Sequence, residues 1–351
     1  MKYVVLFAVA IVPALCGDWN PKLAAQYMDA REKEWVEWPM AMNSGVACIS
    51  CHTGMPYLMA RPALRKALGQ SQPTLYEGVL LSGLRATVIK TDAKDLFAGL
   101  KGPIVGQVYG AQAVLSALML AMDDAPRGRL SPEGELALSR MWSLQVRSGK
   151  DKGGWEWSDF DLDPWETKDA AFYGGALGAL ATGSAPAGYQ SRPEIRENIA
   201  EMRTYLLAGE STQPLHNRLF LLWSGAKLRD LLPDADRHAI IDDVWKKQEA
   251  DGGWTMASLG PWKQRDSAPA QTGSNAYATS LVAFTLQRAG VPRNEPGMAK
   301  ALAWLKSHQD PQSGAWSAAS MNHKHEAGTV PARFMTDAAT GYATSALLGE
   351  K

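Results

Sequence analysis

Apolar and polar positions run along this chain in blocks with helical spacing, and none of them keeps period two long enough to suggest a strand. Some blocks are charged with one apolar stripe, as in Arg196-Glu197-Asn198-Ile199-Ala200-Glu201-Met202-Arg203. Each is followed by a block almost free of charge, such as Ala113-Val114-Leu115-Ser116-Ala117-Leu118-Met119-Leu120 or Ala176-Leu177-Gly178-Ala179-Leu180. A helix apolar on every side is buried, and small residues let its neighbours approach closely. The pattern predicts six helix pairs, at 21–37 and 56–68, 74–90 and 104–122, 132–146 and 167–182, 193–208 and 214–228, 236–250 and 272–289, and 297–308 and 335–348. Ser131-Pro132 and Arg192-Pro193 put proline in a first helical turn, and Gly183 and Gly290 follow helix ends. Charged outer helices around apolar inner ones make an all-α protein: an α/α toroid of six helical hairpins in a single domain.

A repeat underlies the pairs. Trp142 and Gln145 lead to Gly153-Gly154-Trp155 and then to Asp169-Ala170-Ala171. Trp245 and Gln248 lead to Gly252-Gly253-Trp254 and then to Asn275-Ala276-Tyr277-Ala278-Thr279. Trp304 and Gln309 lead to Gly314-Ala315-Trp316 and then to Asp337-Ala338-Ala339-Thr340. Gln248-Glu249-Ala250-Asp251-Gly252-Gly253-Trp254 matches the Gln-x-x-x-Gly-x-Trp repeat of squalene–hopene cyclases, and the chain resembles that cyclase and prenyltransferase superfamily over about 130–350. The resemblance implies that Gln and Trp tie outer helices together, giving Trp155, Trp254 and Trp316 structural roles. It does not carry over catalysis. The cyclase acid lies in Asp-x-Asp-Asp, and the nearest stretch here, Asp159-Phe160-Asp161-Leu162-Asp163-Pro164, lacks the adjacent pair. A prenyltransferase zinc site would need a cysteine that is not there.

Lys plus Arg equals Asp plus Glu at 36 each, so charge points to no nucleic-acid partner. Residues 1–16 read as a secretory signal: Lys2 at the start, an apolar run from Tyr3 to Val12, and Ala14-Leu15-Cys16 before the cleavage point. A lipid anchor on Cys16 is the alternative, with Leu15 a poor neighbour for it. No later segment reads as apolar enough to cross a membrane. The expected organisation is therefore 1–16 signal peptide, 17–70 the first hairpin with the cysteine-bearing segment discussed below, and 71–351 the remaining repeats of the same domain, in a periplasmic or otherwise exported protein.

The candidate chemistry lies in Cys48-Ile49-Ser50-Cys51-His52. Two thiols three positions apart and then an imidazole are what covalent attachment of one haem c requires, with His52 as proximal iron ligand. The segment resembles the attachment site of c-type cytochromes. Zinc would want two more ligands, a thioredoxin-like pair a βαβ setting, and a disulfide here would close a very short loop. Loops joining first to second helices share one end of a toroid, which brings the last hairpin beside the first. His323 and His325 are then candidate distal iron ligands, with His216, Met40, Met42 and Met321 behind them. Arg61 and Arg65 could hold the haem propionates. The expected function is that of an exported monohaem cytochrome transferring electrons to a redox partner protein or a small-molecule donor or acceptor. The alternatives are a haem enzyme or sensor with an open axial site facing the toroid cavity, or a terpenoid-binding, cyclase-like protein.

Overall fold

Each of the twelve expected helices is present in a computed structural model that describes residues 18–43, 45–90, 100–186, 188–263, 265 and 267–349. The expected signal peptide, 1–16, lies outside the described residues. The pairs are α1 (Pro21–Glu37) with α2 (Gly54–Ala67), α3 (Leu75–Ile89) with α4 (Ile104–Asp124), and α5 (Pro132–Ser143) with α6 (Ala170–Ser184). They continue with α7 (Arg196–Gly209) and α8 (Leu215–Gly225), α9 (Asp234–Trp245) and α10 (Ala276–Arg288), and α11 (Pro296–Ser307) and α12 (Phe334–Leu348). Local chemistry starts several of them. The Asn20 side chain accepts from the Lys22 and Leu23 amides ahead of α1, Thr74 and Glu77 form a capping box on α3, and Ser131 caps α5 before Pro132. Among the described residues the sheet content is one two-residue hairpin, Met42–Asn43 against Val46–Ala47, and an isolated bridge from Leu162 to Glu166.

The even-numbered helices are the inner layer. Nearly every residue of α6 from Phe172 to Thr182, and of α10 from Ala276 to Leu286, is buried. In sequence order α2, α4, α6, α8, α10 and α12 each pack on the next, and α12 packs back on α2. The odd-numbered helices form the outer layer: α1, α3, α5 and α11 pack on their own inner partners, while α7 packs on α6 and α9 on α8, the inner helices just before them. One stretch departs from expectation. Ile104–Arg127 is long and apolar enough to cross a membrane by length and composition, although most of it is buried inside the protein. Val114 to Ala121 supply core there, against α5 and α6.

The repeat residues explain how the outer layer is joined. Gln145 donates from Nε2 to the carbonyls of Gly153 in its own loop (3.0 Å) and of Asn198 on the next outer helix (2.9 Å). Gln248 does the same to Gly252 (2.9 Å) and Gly297 (2.8 Å). Gln309 bonds Gly314 (2.9 Å) and then Asn20 (3.0 Å), so the third copy joins the last hairpin to the first. The three tryptophans are equivalent too: Trp155 donates to Met141 O at 2.6 Å, Trp254 to Val244 O at 2.9 Å and Trp316 to Leu305 O at 2.7 Å. Each indole is fully buried with its one polar atom satisfied.

Candidate functional site

The segment Cys48–His52 is held rigidly at the start of α2. Cys48 donates its amide to Ala41 O and accepts at its carbonyl from Trp35 Nε1, both at 2.9 Å. Gln112 of α4 reaches Ile49 O at 2.8 Å, and the Ser50 hydroxyl accepts from the Thr53 and Gly54 amides at 3.1 and 3.0 Å. The side chains of Cys48, Cys51 and His52 line one cavity of about 450 Å³, and so does Glu166. Trp35, Trp38, Trp157, Phe160 and Phe334 supply most of its flat apolar wall.

Burial sets the ionisation of every titratable group on that wall. It pushes the Cys48 thiol up to about 12 and raises Cys51 further, with the nearby Glu166 carboxylate adding to both. It lowers His52 to about 3, helped by the Arg31 charge, and lifts Glu166 to about 7. Near neutrality the thiols are protonated, the imidazole is neutral and Glu166 is poised between its two states. The Glu166 backbone is fixed by bonds in both directions with Leu162, at 2.9 and 3.0 Å.

His52 is clamped. Its ring stacks on Phe334 with centroids 3.6 Å apart and meets the edge of Trp35 at 5.0 Å. Its Nδ1 lies 2.8 Å from Thr53 Oγ1, which donates to Asp337 Oδ2 at 2.9 Å. Asp337, on α12, also receives Arg31 Nε (2.8 Å), Arg31 Nη2 (2.9 Å) and the Tyr27 hydroxyl (2.8 Å). First and last hairpins thus meet in a buried polar knot directly behind the cavity.

Of the remaining candidates, Met40 lines the same cavity, and Arg61, Arg65, His216, His323 and His325 are placed elsewhere. Arg61 forms a bidentate pair with Asp29 at 2.9 and 3.0 Å, and Arg65 bonds Glu77 at 3.2 Å, so both guanidinia are engaged and neither lines the cavity. The loop carrying His323 and His325 does come to the expected end of the protein, where Asn322 bonds Asp163 N and O at 2.9 and 2.7 Å. Both imidazoles stay off the cavity wall, 5.9 Å from each other, with His323 exposed. His216 is buried and bonds Tyr277 at 2.8 Å. Asp161 is taken up by Lys263 and Arg265.

Glu166, Thr53 and Asp337 are the site residues that sequence reasoning did not single out for chemistry. For Glu166 the available signal was its place: a carboxylate directly after Pro164-Trp165, in a loop at the same end as the cysteines.

The chain is similar in fold to a solved glycosidase structure, with a TM-score of 0.52, 12% identity, and 93% of this chain and 96% of that one covered. No protein family and no curated protein matches it in sequence. The expected electron-transfer cytochrome is corrected by these findings. The shared fold is that of a glycosidase, and among the described residues no three His, Cys, Asp or Glu side chains come close enough together to hold a metal ion. The histidines expected to complete an iron site do not line the cavity with His52; from their loop it is Asn322 that bonds the Asp163 backbone.

Proposed function

We propose that the chain is an enzyme built on a closed α/α toroid of six hairpins of the squalene-cyclase repeat kind, acting on a ring-shaped substrate of the glycoside class. The observation that carries this reading is a lone carboxyl, Glu166, raised to about 7 in a cavity walled by indoles and phenyl rings. Aromatic faces accept the flat C–H faces of a sugar ring, and a carboxyl kept protonated near neutrality is the proton donor that glycosidic cleavage requires. His52, neutral on the same wall, accepts a hydrogen bond from the attacking water. Its low basicity suits it to orienting that water. The proton the water gives up passes to the Glu166 carboxylate left after the leaving oxygen has been protonated, which restores the acid. The fold likeness supports the reading, and so does the third Gln bridge, which closes the ring. The charged start and apolar run of residues 1–16 support an exported enzyme.

Glu166→Gln tests it. Cleavage of an aryl glycoside panel by the unmodified protein should fall as pH rises through about 7, since the acid form is the active one. The variant should lose on the order of a hundredfold in kcat and lose that pH limb. A second readout needs no substrate. A carboxyl whose folded pKa is raised to about 7 from an ordinary 4.5 stabilises the fold only below its unfolded value and loses that contribution as pH rises. Glu166→Gln should therefore match the parent near pH 4 and exceed its stability above pH 8, by as much as about 3 kcal/mol in urea denaturation. Absence of glycoside cleavage by the parent removes the substrate class.

The cofactor expectation stands apart from this. Cys48, Cys51 and His52 all face one cavity, and those residues fit covalent attachment of haem c, which we propose as its competing occupant. Cys48 and Cys51 would hold the group covalently with His52 as its iron ligand, and it would supply a Lewis-acidic iron. Exported protein that is colourless, gives no pyridine-haemochrome spectrum and has the mass of the bare polypeptide excludes this occupant.

A further inference from the structure

We propose that Asp337, acting through Thr53, is a positioning residue that holds His52 in the Nδ1–H tautomer and so presents a standing Nε2 lone pair to the cavity. The argument is a count of protons. The Thr53 hydroxyl has one hydrogen, and at 2.9 Å from Asp337 Oδ2 that hydrogen is committed to the carboxylate. The carboxylate has none to give back: Arg31, which can only donate, holds both of its oxygens at 2.8 and 2.9 Å, and the Tyr27 hydroxyl adds a further donor at 2.8 Å. The 2.8 Å contact between Thr53 Oγ1 and His52 Nδ1 then needs its proton from the ring nitrogen. Nε2 is left unprotonated and has no hydrogen-bond partner among the described residues, while His52 lines the cavity. The stacked Phe334 and the edge of Trp35 hold the imidazole in that orientation.

The chemistry is that of a fixed acceptor. A hydroxyl of a substrate, or a water about to attack it, finds a lone pair already aimed and needs no proton shift before binding. What meets the lone pair rests on the enzymatic reading above; the tautomer does not, so the two can fail separately.

The test is the ring-nitrogen spectrum of the whole protein labelled with 15N-histidine, with His52 assigned by loss of its signals in His52→Gln. At pH 7 the expected result is a protonated, pyrrole-type Nδ1 and an unprotonated, pyridine-type Nε2. Thr53→Val should give a mixture of both tautomers, and Thr53→Ser should restore the single form. Asp337→Asn should favour the opposite tautomer, because an amide donates to the hydroxyl and turns its hydrogen toward Nδ1. A parent protein with Nε2 protonated overturns the proposal, as does a Thr53→Val spectrum identical to the parent's. If Asp337→Asn does not fold, the Thr53 pair decides alone.

Discussion

Asp337→Ala is expected to cost about 3–5 kcal/mol of stability, which is the usual penalty for removing one partner of a buried ion pair. Arg31 is 2% exposed, and its guanidinium would lose both carboxylate oxygens at once. Its remaining carboxylate partner, Glu34, is partly exposed and shared with Arg333, so it compensates the buried charge only in part, and Val330 O at 3.1 Å adds a neutral acceptor. Tyr27 and Thr53 lose their acceptor in the same step. Glu32 lies next to this knot with both of its oxygens buried without partners, and burial, with the Asp337 charge adding to it, lifts its carboxyl well above the usual range. Urea denaturation of the variant should show the loss as a lowered midpoint. The double change Arg31→Met with Asp337→Leu should recover much of it, because replacing both charges removes the desolvation cost that the single change leaves behind. A double variant as unstable as the single one would show that the knot's packing, not its charge, closes the ring.

That knot also shows where sequence reading stopped. The helices were legible because each needs only its own period and its own caps: Asn20 before α1, the Thr74–Glu77 box, Pro132 after Ser131. The joints between outer helices were legible through the recurring Gln and Gly-Trp. Arg31, Thr53 and Asp337 have no such mark, since each is ordinary on its own helix and they meet only when residues some three hundred positions apart fold together. The repeat even conceals Asp337. Thr279 and Thr340 make the same bond, to the Trp254 and Trp316 amides at 3.0 and 3.1 Å, so Asn275 corresponds to Thr336. Asn275 caps α10, whereas Asp337 stands one position further on and inside α12, free to take Arg31.

His323 and His325 were overread for a related reason. Hairpin topology brings their loop to the right end of the protein, but which side chain turns inward is set by a partner on another hairpin, here Asp163 for Asn322. Glu166 was missed because its perturbation comes from burial under walls drawn from several hairpins, which no local pattern records.

Ring closure can be broken from the outer layer as well, and Gly314→Ala is expected to do so at a cost of about 2–5 kcal/mol. Gly314 has φ +77°, and a Cβ there would lie 2.4 Å from the carbonyl carbon of Leu23 on α1. Gly153 and Gly252 approach Glu201 and Lys300 in the same way, but theirs are joints between consecutive hairpins, whereas Gly314 joins the ends of the chain. Two costs add. A left-handed alanine costs about 1–2 kcal/mol, and forcing a methyl against backbone that cannot swing aside adds about 1–3 kcal/mol. Gly149→Ala separates them: its φ is +78° with nothing within 4 Å of a Cβ, so it carries the first cost alone. The difference between the two denaturation midpoints measures the contact with α1. Because that contact sits beside the Gln309–Asn20 bonds, adding Gln309→Ala to Gly314→Ala should cost less than Gln309→Ala costs alone. Strict additivity of the two changes would mean that the Gly314 contact and the Gln309–Asn20 bonds act independently.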